Sequence, residues 1–153
     1  MNGTPVLTVA TIAHLIMLSM WGGIVATEAV VEIYAFRKRE FAGAASRFHY
    51  WIDLLVELPV VVAVLGTGIA VVCSLDHITR LHLVKIGFAS VAVGVNLFCI
   101  AVVLRRDRQR EAGANPVQLR TASRVVLACF AVGLLSAAVA AVLGFSLGSN
   151  RLR

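Results

Sequence analysis

Five ionisable side chains in one apolar hairpin carry the first chemistry this sequence offers. Glu28 and Glu32 stand on one arm, and His49, Asp53 and Glu57 stand on the other, across a short basic turn. Each set is spaced by four residues, which lays it along one face of a helix. Such groups inside apolar helices are costly unless they pair, bind something or line a wet cavity. Carboxylates and imidazole on facing helices are also the donors from which di-iron and di-manganese sites are built in helical bundles, although the Glu-x-x-His pair of those sites is absent. Counting depth at about 1.5 Å per residue, with the first helix running inward and the second outward, sets Glu32 level with His49 and Glu28 level with Asp53. Glu57 falls near the bilayer middle. The expected metal set is therefore Glu28, Asp53, Glu57 and His49, holding a copper or iron ion, or else forming the steps of a proton or cation path. The competing reading places Glu32 and His49 in the headgroup layer, paired with Arg37, Lys38 or Arg47, and makes Glu28, Asp53 and Glu57 structural groups bonded to Asn96.

A second constellation lies further out. His14, Trp21 and Glu28 recur at sevens on the first helix, so one stripe carries its polar side chains and must face protein. On the third helix His82, Lys85, Ala89 and Asn96 share a face. In an up-down bundle the first and third helices are diagonal, a spacing wide enough for a porphyrin whose iron takes a histidine from each side. His14 and His82 are the expected axial ligands of a haem b, and Lys85 the partner of a propionate.

The elements that hold these residues follow from composition. The 153-residue chain is 59% hydrophobic and 14% charged, with mean hydropathy +0.90, against roughly 45 to 50% apolar residues in soluble domains. Four segments meet the requirement of about 20 apolar residues for a spanning helix: about 6–36, 48–75, 79–104 and 116–147. The expectation is an all-α integral membrane protein, a four-helix up-down bundle forming a single domain over 1–153. Pro59 lies inside the second span, where its missing N–H frees a carbonyl and should kink the helix near Glu57.

Ten of the fourteen Lys and Arg residues lie in or beside the first and third connections: Arg37, Lys38, Arg39 and Arg47, then Arg105, Arg106, Arg108, Arg110, Arg120 and Arg124. The bias of basic residues to the cytoplasmic side then sets both termini outside, in an inner (plasma) membrane. The same distribution accounts for the net charge of +6 without nucleic acid, which is not expected as a partner. The expected partners are the lipid bilayer and a membrane-protein partner or second copy, met by the small residues Gly133, Ser136, Ala137, Ala140, Ala141 and Gly144 of the fourth span. Cys73, Cys99 and Cys129 form no CxxC pair and read as packing residues. The first span, without a basic start and too long for a signal core, is expected to stay in the mature chain. An offset of 68 aligns His14 with His82, Arg37-Lys38 with Arg105-Arg106 and Glu28 with Asn96, as two parallel hairpins would.

At His14, Trp21-Gly22-Gly23, His82, Lys85 and Asn96 the chain resembles the four-helix membrane proteins grouped with the copper-resistance D family and the HemJ-type protoporphyrinogen oxidases. That family places a histidine eleven residues after the lysine, where this chain has Asn96, which cannot replace a haem-ligating histidine. Its Glu-x-Pro occurs here as Glu57-Leu58-Pro59, in the second helix rather than the last. The resemblance implies a small polytopic redox, haem or copper protein. Three functions follow as expectations: a redox or electron-transfer protein, a metal or proton transporter acting through the acidic hairpin, or a non-catalytic subunit of a membrane complex.

Overall fold

Lipid offers a backbone amide no partner, so an apolar stretch that crosses a bilayer must satisfy its polar groups internally, as helix. The computed structural model describes residues 4–75, 77–113 and 116–149. Arg151 and Arg153, which the charge count assigns to the outer side, lie outside the described residues. The first arm is α1 (Thr4–Arg37). The second begins with a 3-10 turn (Arg39–Phe41), continues as α2 (Ala42–Ile52), widens into a π turn (Asp53–Glu57) and ends as α3 (Leu58–Cys73). The third and fourth are α4 (Arg80–Glu111) and α5 (Pro116–Ser149). These make four helical stretches long and apolar enough to cross a membrane.

Two boundaries differ from those expected. The second stretch begins at Ala42 rather than Phe48, and the third runs on to Glu111 rather than ending at Leu104. The two extensions meet through a polar contact that an apolar count does not register, buried Ser46 donating to buried Asp107 at 3.4 Å, and within the α4 extension Asp107 meets Arg110 at 3.6 Å.

The interruption at Pro59 takes the form of the π turn, with the Leu58 N–H reaching back to the Asp53 carbonyl. Pro59 has no N–H to donate, so an ordinary turn before it would leave a carbonyl without its helical partner. The turn also corrects a drift. Residues four apart on an α-helix advance about 40° around the axis per step, so His49, Asp53 and Glu57 would wander off the inward stripe. The wider turn holds all three inside, and Val60, Val61 and Val64 continue the buried face.

Helix α1 packs on α2 and α3, α4 packs on α5, and the ring closes through α1 with α5 and α2 with α4. The first and third stretches therefore sit diagonally. On α1 the buried stripe reads Trp21, Val25, Glu28, Glu32 and Ala35. It meets a core that includes Val61, Val64, Ala92, Val103, Val126 and Phe130. The small residues of α5 serve this packing in part: Ser136 and Ala140 are buried, and Gly133 faces Val95 while Gly144 faces Lys85.

Candidate metal centre

Helix α1 runs antiparallel to α2, which brings Glu32 to the level of His49 and Glu28 to that of His49 and Asp53. The imidazole lies between the two glutamates. Its Nδ1 is 3.8 Å from Glu28 Oε1 and its Nε2 is 3.3 Å from Glu32 Oε2. Ligand atoms of Glu28, His49 and Asp53 all fall within 4.8 Å of one another, and all three side chains are buried. His49 has no exposed surface, and it stacks edge-on to Phe48 and obliquely over Phe130. Its ring is thus fixed by walls as well as by charge.

The polar line continues at both ends. Towards the basic connections, Glu32 Oε1 accepts from Arg106 Nη1 at 2.6 Å, and the same Nη1 donates to Ser123 Oγ at 3.2 Å. Towards the bundle middle, Asp53 lies between Glu28 and Glu57. Glu57 Oε1 accepts from Trp21 Nε1 at 3.2 Å, with Asn96 beside it. Glu28, Glu32, Asp53 and Glu57 are each no more than 2% exposed. Among the described residues, one guanidinium forms an ion pair with this group of four carboxyls, that of Arg106.

That imbalance is matched by missing partners. Glu28 Oε1, Glu32 Oε2, both ring nitrogens of His49, Asp53 Oδ2, Asn96 Nδ2, and Nε and Nη2 of Arg106 are buried without a hydrogen bond. Buried polar atoms ordinarily have partners, and a cluster of unpaired acceptors around an imidazole has the composition of a cation site. Two carboxylates and one imidazole, the Glu28, His49 and Asp53 group, suit a divalent ion such as iron, manganese or zinc.

The pairing expected for Glu32 and His49 in the headgroup reading is corrected. Both are buried; Glu32 pairs with Arg106 of α4, not Arg37, Lys38 or Arg47, and His49 contacts Glu28 and Glu32. Arg106 stands among the basic residues that the charge count assigns to orientation. The signal that finds it is helical spacing, because Asn96, Cys99, Val103 and Arg106 follow one another at three and four residues, and all are buried.

The outer constellation is placed differently. His14 is half-buried, its Nδ1 3.1 Å from Thr67 Oγ1, and its ring lies so close to Gly68 that a Cβ there would stand 3.1 Å from Cε1. Lys85, within electrostatic reach of His14, lies along Gly144, where a Cβ would stand 3.2 Å from Nζ. His82 serves the start of α4. Its Nδ1 accepts from the Thr79 N–H at 3.2 Å while the Thr79 side chain caps the helix at the His82 N–H. No family model matches the chain, and the comparisons with curated proteins and with solved structures return no similar protein.

Proposed function

We propose that this chain is a multi-pass membrane protein that binds a divalent first-row transition-metal ion in the inner half of its bundle, and that it handles or transports that ion. Glu28, His49 and Asp53 would hold the ion. The observation that carries the reading is that Glu28, His49 and Asp53, each with an atom left without a hydrogen bond, bring ligand atoms within 4.8 Å of one another in a buried cluster with one guanidinium partner. A bound cation would give these atoms the partner they lack and would add positive charge to the cluster. The line from Arg106 through Glu32, His49, Glu28 and Asp53 to Glu57 supports passage between the basic connections and the bundle middle, since intramembrane carboxylates and histidines of this kind mark ion and proton paths. In this reading the first and third connections face the cytoplasm, both termini lie outside, and the membrane is the plasma membrane. Metal analysis of the protein purified in detergent tests it. About one divalent ion per chain is expected in the wild type, with loss on His49→Gln or Asp53→Asn at unchanged helicity, and a metal-free wild type from metal-replete cells overturns it.

A second reading, haem b in the outer half, is favoured by one observation: His14 and Lys85 lie within electrostatic reach of each other, each packed closely against a glycine. His14 would ligate the iron and Lys85 would meet a propionate, and the chemistry would be redox. His82 Nδ1 is engaged with Thr79.

A further inference from the structure

We infer that Glu32 and Arg106 are positioning residues for the ion, fixing His49 so that its Nδ1 is the ligating nitrogen. The inference rests on the metal reading above. The two ring nitrogens face different carboxyls: Nδ1 looks to Glu28, itself a member of the Glu28, His49 and Asp53 group, at 3.8 Å, and Nε2 looks to Glu32 at 3.3 Å. A nitrogen that binds a cation must present its lone pair, so the other must carry the hydrogen, and ligating histidines characteristically give that N–H to a carboxylate. Glu32 is that carboxylate. It is not free to turn toward the ion, because Arg106 holds its other oxygen at 2.6 Å and is itself held by Ser123.

The arrangement divides the labour between the two hairpins. All three ligands belong to the first hairpin, Glu28 on α1, His49 on α2 and Asp53 at the π turn, whereas the anchor of Glu32 belongs to α4 and α5. The relay from Ser123 to Arg106, Glu32 and His49 crosses the bundle and joins them. Glu32 Oε2 and His49 Nε2 approach without closing a hydrogen bond. A cation drawing on Nδ1 makes the Nε2–H a stronger donor and closes that contact.

The test uses the full-length protein in detergent micelles, with Co2+ as the probe. Outer partners of metal-bound histidines contribute about 10- to 100-fold in metal affinity, so Glu32→Gln should weaken Co2+ binding by that order. It should also abolish or speed the exchange of the Co2+-shifted ring N–H proton of His49 seen by NMR in H2O. Arg106→Gln should act in the same direction and add little in the Glu32→Gln background, because Arg106 acts through Glu32, and Arg106→Lys should restore part of the affinity. If Glu32→Gln loses its helicity, the comparison of Arg106→Lys with Arg106→Gln decides, and equal affinities overturn the inference. A folded Glu32→Gln protein that binds Co2+ as the wild type does and keeps the slow N–H proton overturns the inference while the metal site stands. A wild type that binds no Co2+ removes both.

Discussion

Arg106 Nη1 and Glu32 Oε1 meet at 2.6 Å across the bundle, joining the third helical stretch to the first in a layer where both side chains are at most 4% exposed. Removing one partner of a buried ion pair strands the other charge, at a cost of about 3–5 kcal/mol in folded proteins. Arg106→Ala should therefore lower the thermal midpoint strongly, whereas Arg105→Ala, its exposed neighbour, should lie within about 0.5 kcal/mol of wild type. Circular dichroism melts of the two variants in one detergent check this. Equal midpoints for both would show that the pair contributes no stability.

Trp21 and Glu57 make a second cross-helix contact, at 3.2 Å between α1 and the π turn. Trp21→Phe keeps the apolar bulk but leaves Glu57 without its indole donor, a loss of about 1–3 kcal/mol for a buried acceptor. Glu57→Leu removes the acceptor together with the need for a donor. Among denaturation midpoints, Trp21→Phe should be the lower of the two, and combining the substitutions should recover part of the loss. A double variant no better than Trp21→Phe alone would deny the contact that role.

Much of this was legible in the residues and some was not. Apolar length gives the four helical stretches, and spacing by four sets Glu28 and Glu32 level with His49 and Asp53 on the facing arm, because rise per residue is fixed in a helix whatever its neighbours. Pro59 announces an irregularity but not its kind, since a π turn and a kink both accommodate a missing N–H. Arg106 was not legible as a partner of Glu32, because charge in a basic run reads as orientation and only packing shows which arginine turns inward. His82 was read for its imidazole, whereas its nearest partner is Thr79, three residues before it. That local contact competes with any long-range role, and the usual glutamate or glutamine of a capping box is not there to signal it.

Orientation has a direct check. Cys73 is exposed near the end of α3, and Ala112 is exposed at the third connection. In spheroplasts, an impermeant maleimide should label native Cys73 from outside, and it should label Ala112→Cys only after permeabilisation. Ala112 is preferable to Gly113, whose φ of 76° strains any other residue. Labelling of position 112 in intact cells would invert the topology.

The haem reading predicts a Soret band in wild-type protein from haem-replete cells, lost in His14→Ala and retained in Asn96→Ala. Gly68→Ala, which sets a methyl group against the His14 ring, should shift or weaken that band. A colourless wild-type preparation with intact helicity ends that reading and leaves the acidic cluster untouched.

The central claim is that Glu28, His49 and Asp53 share one ion. Anomalous diffraction at the absorption edge of a bound transition metal, from crystals of the wild-type protein and of His49→Gln, tests it most directly. The account predicts a single peak between the three side chains in the wild type, on the Nδ1 side of His49, and no peak there in the variant. A metal-replete crystal with no density at that point, or with its ion held elsewhere in the bundle, would contradict it.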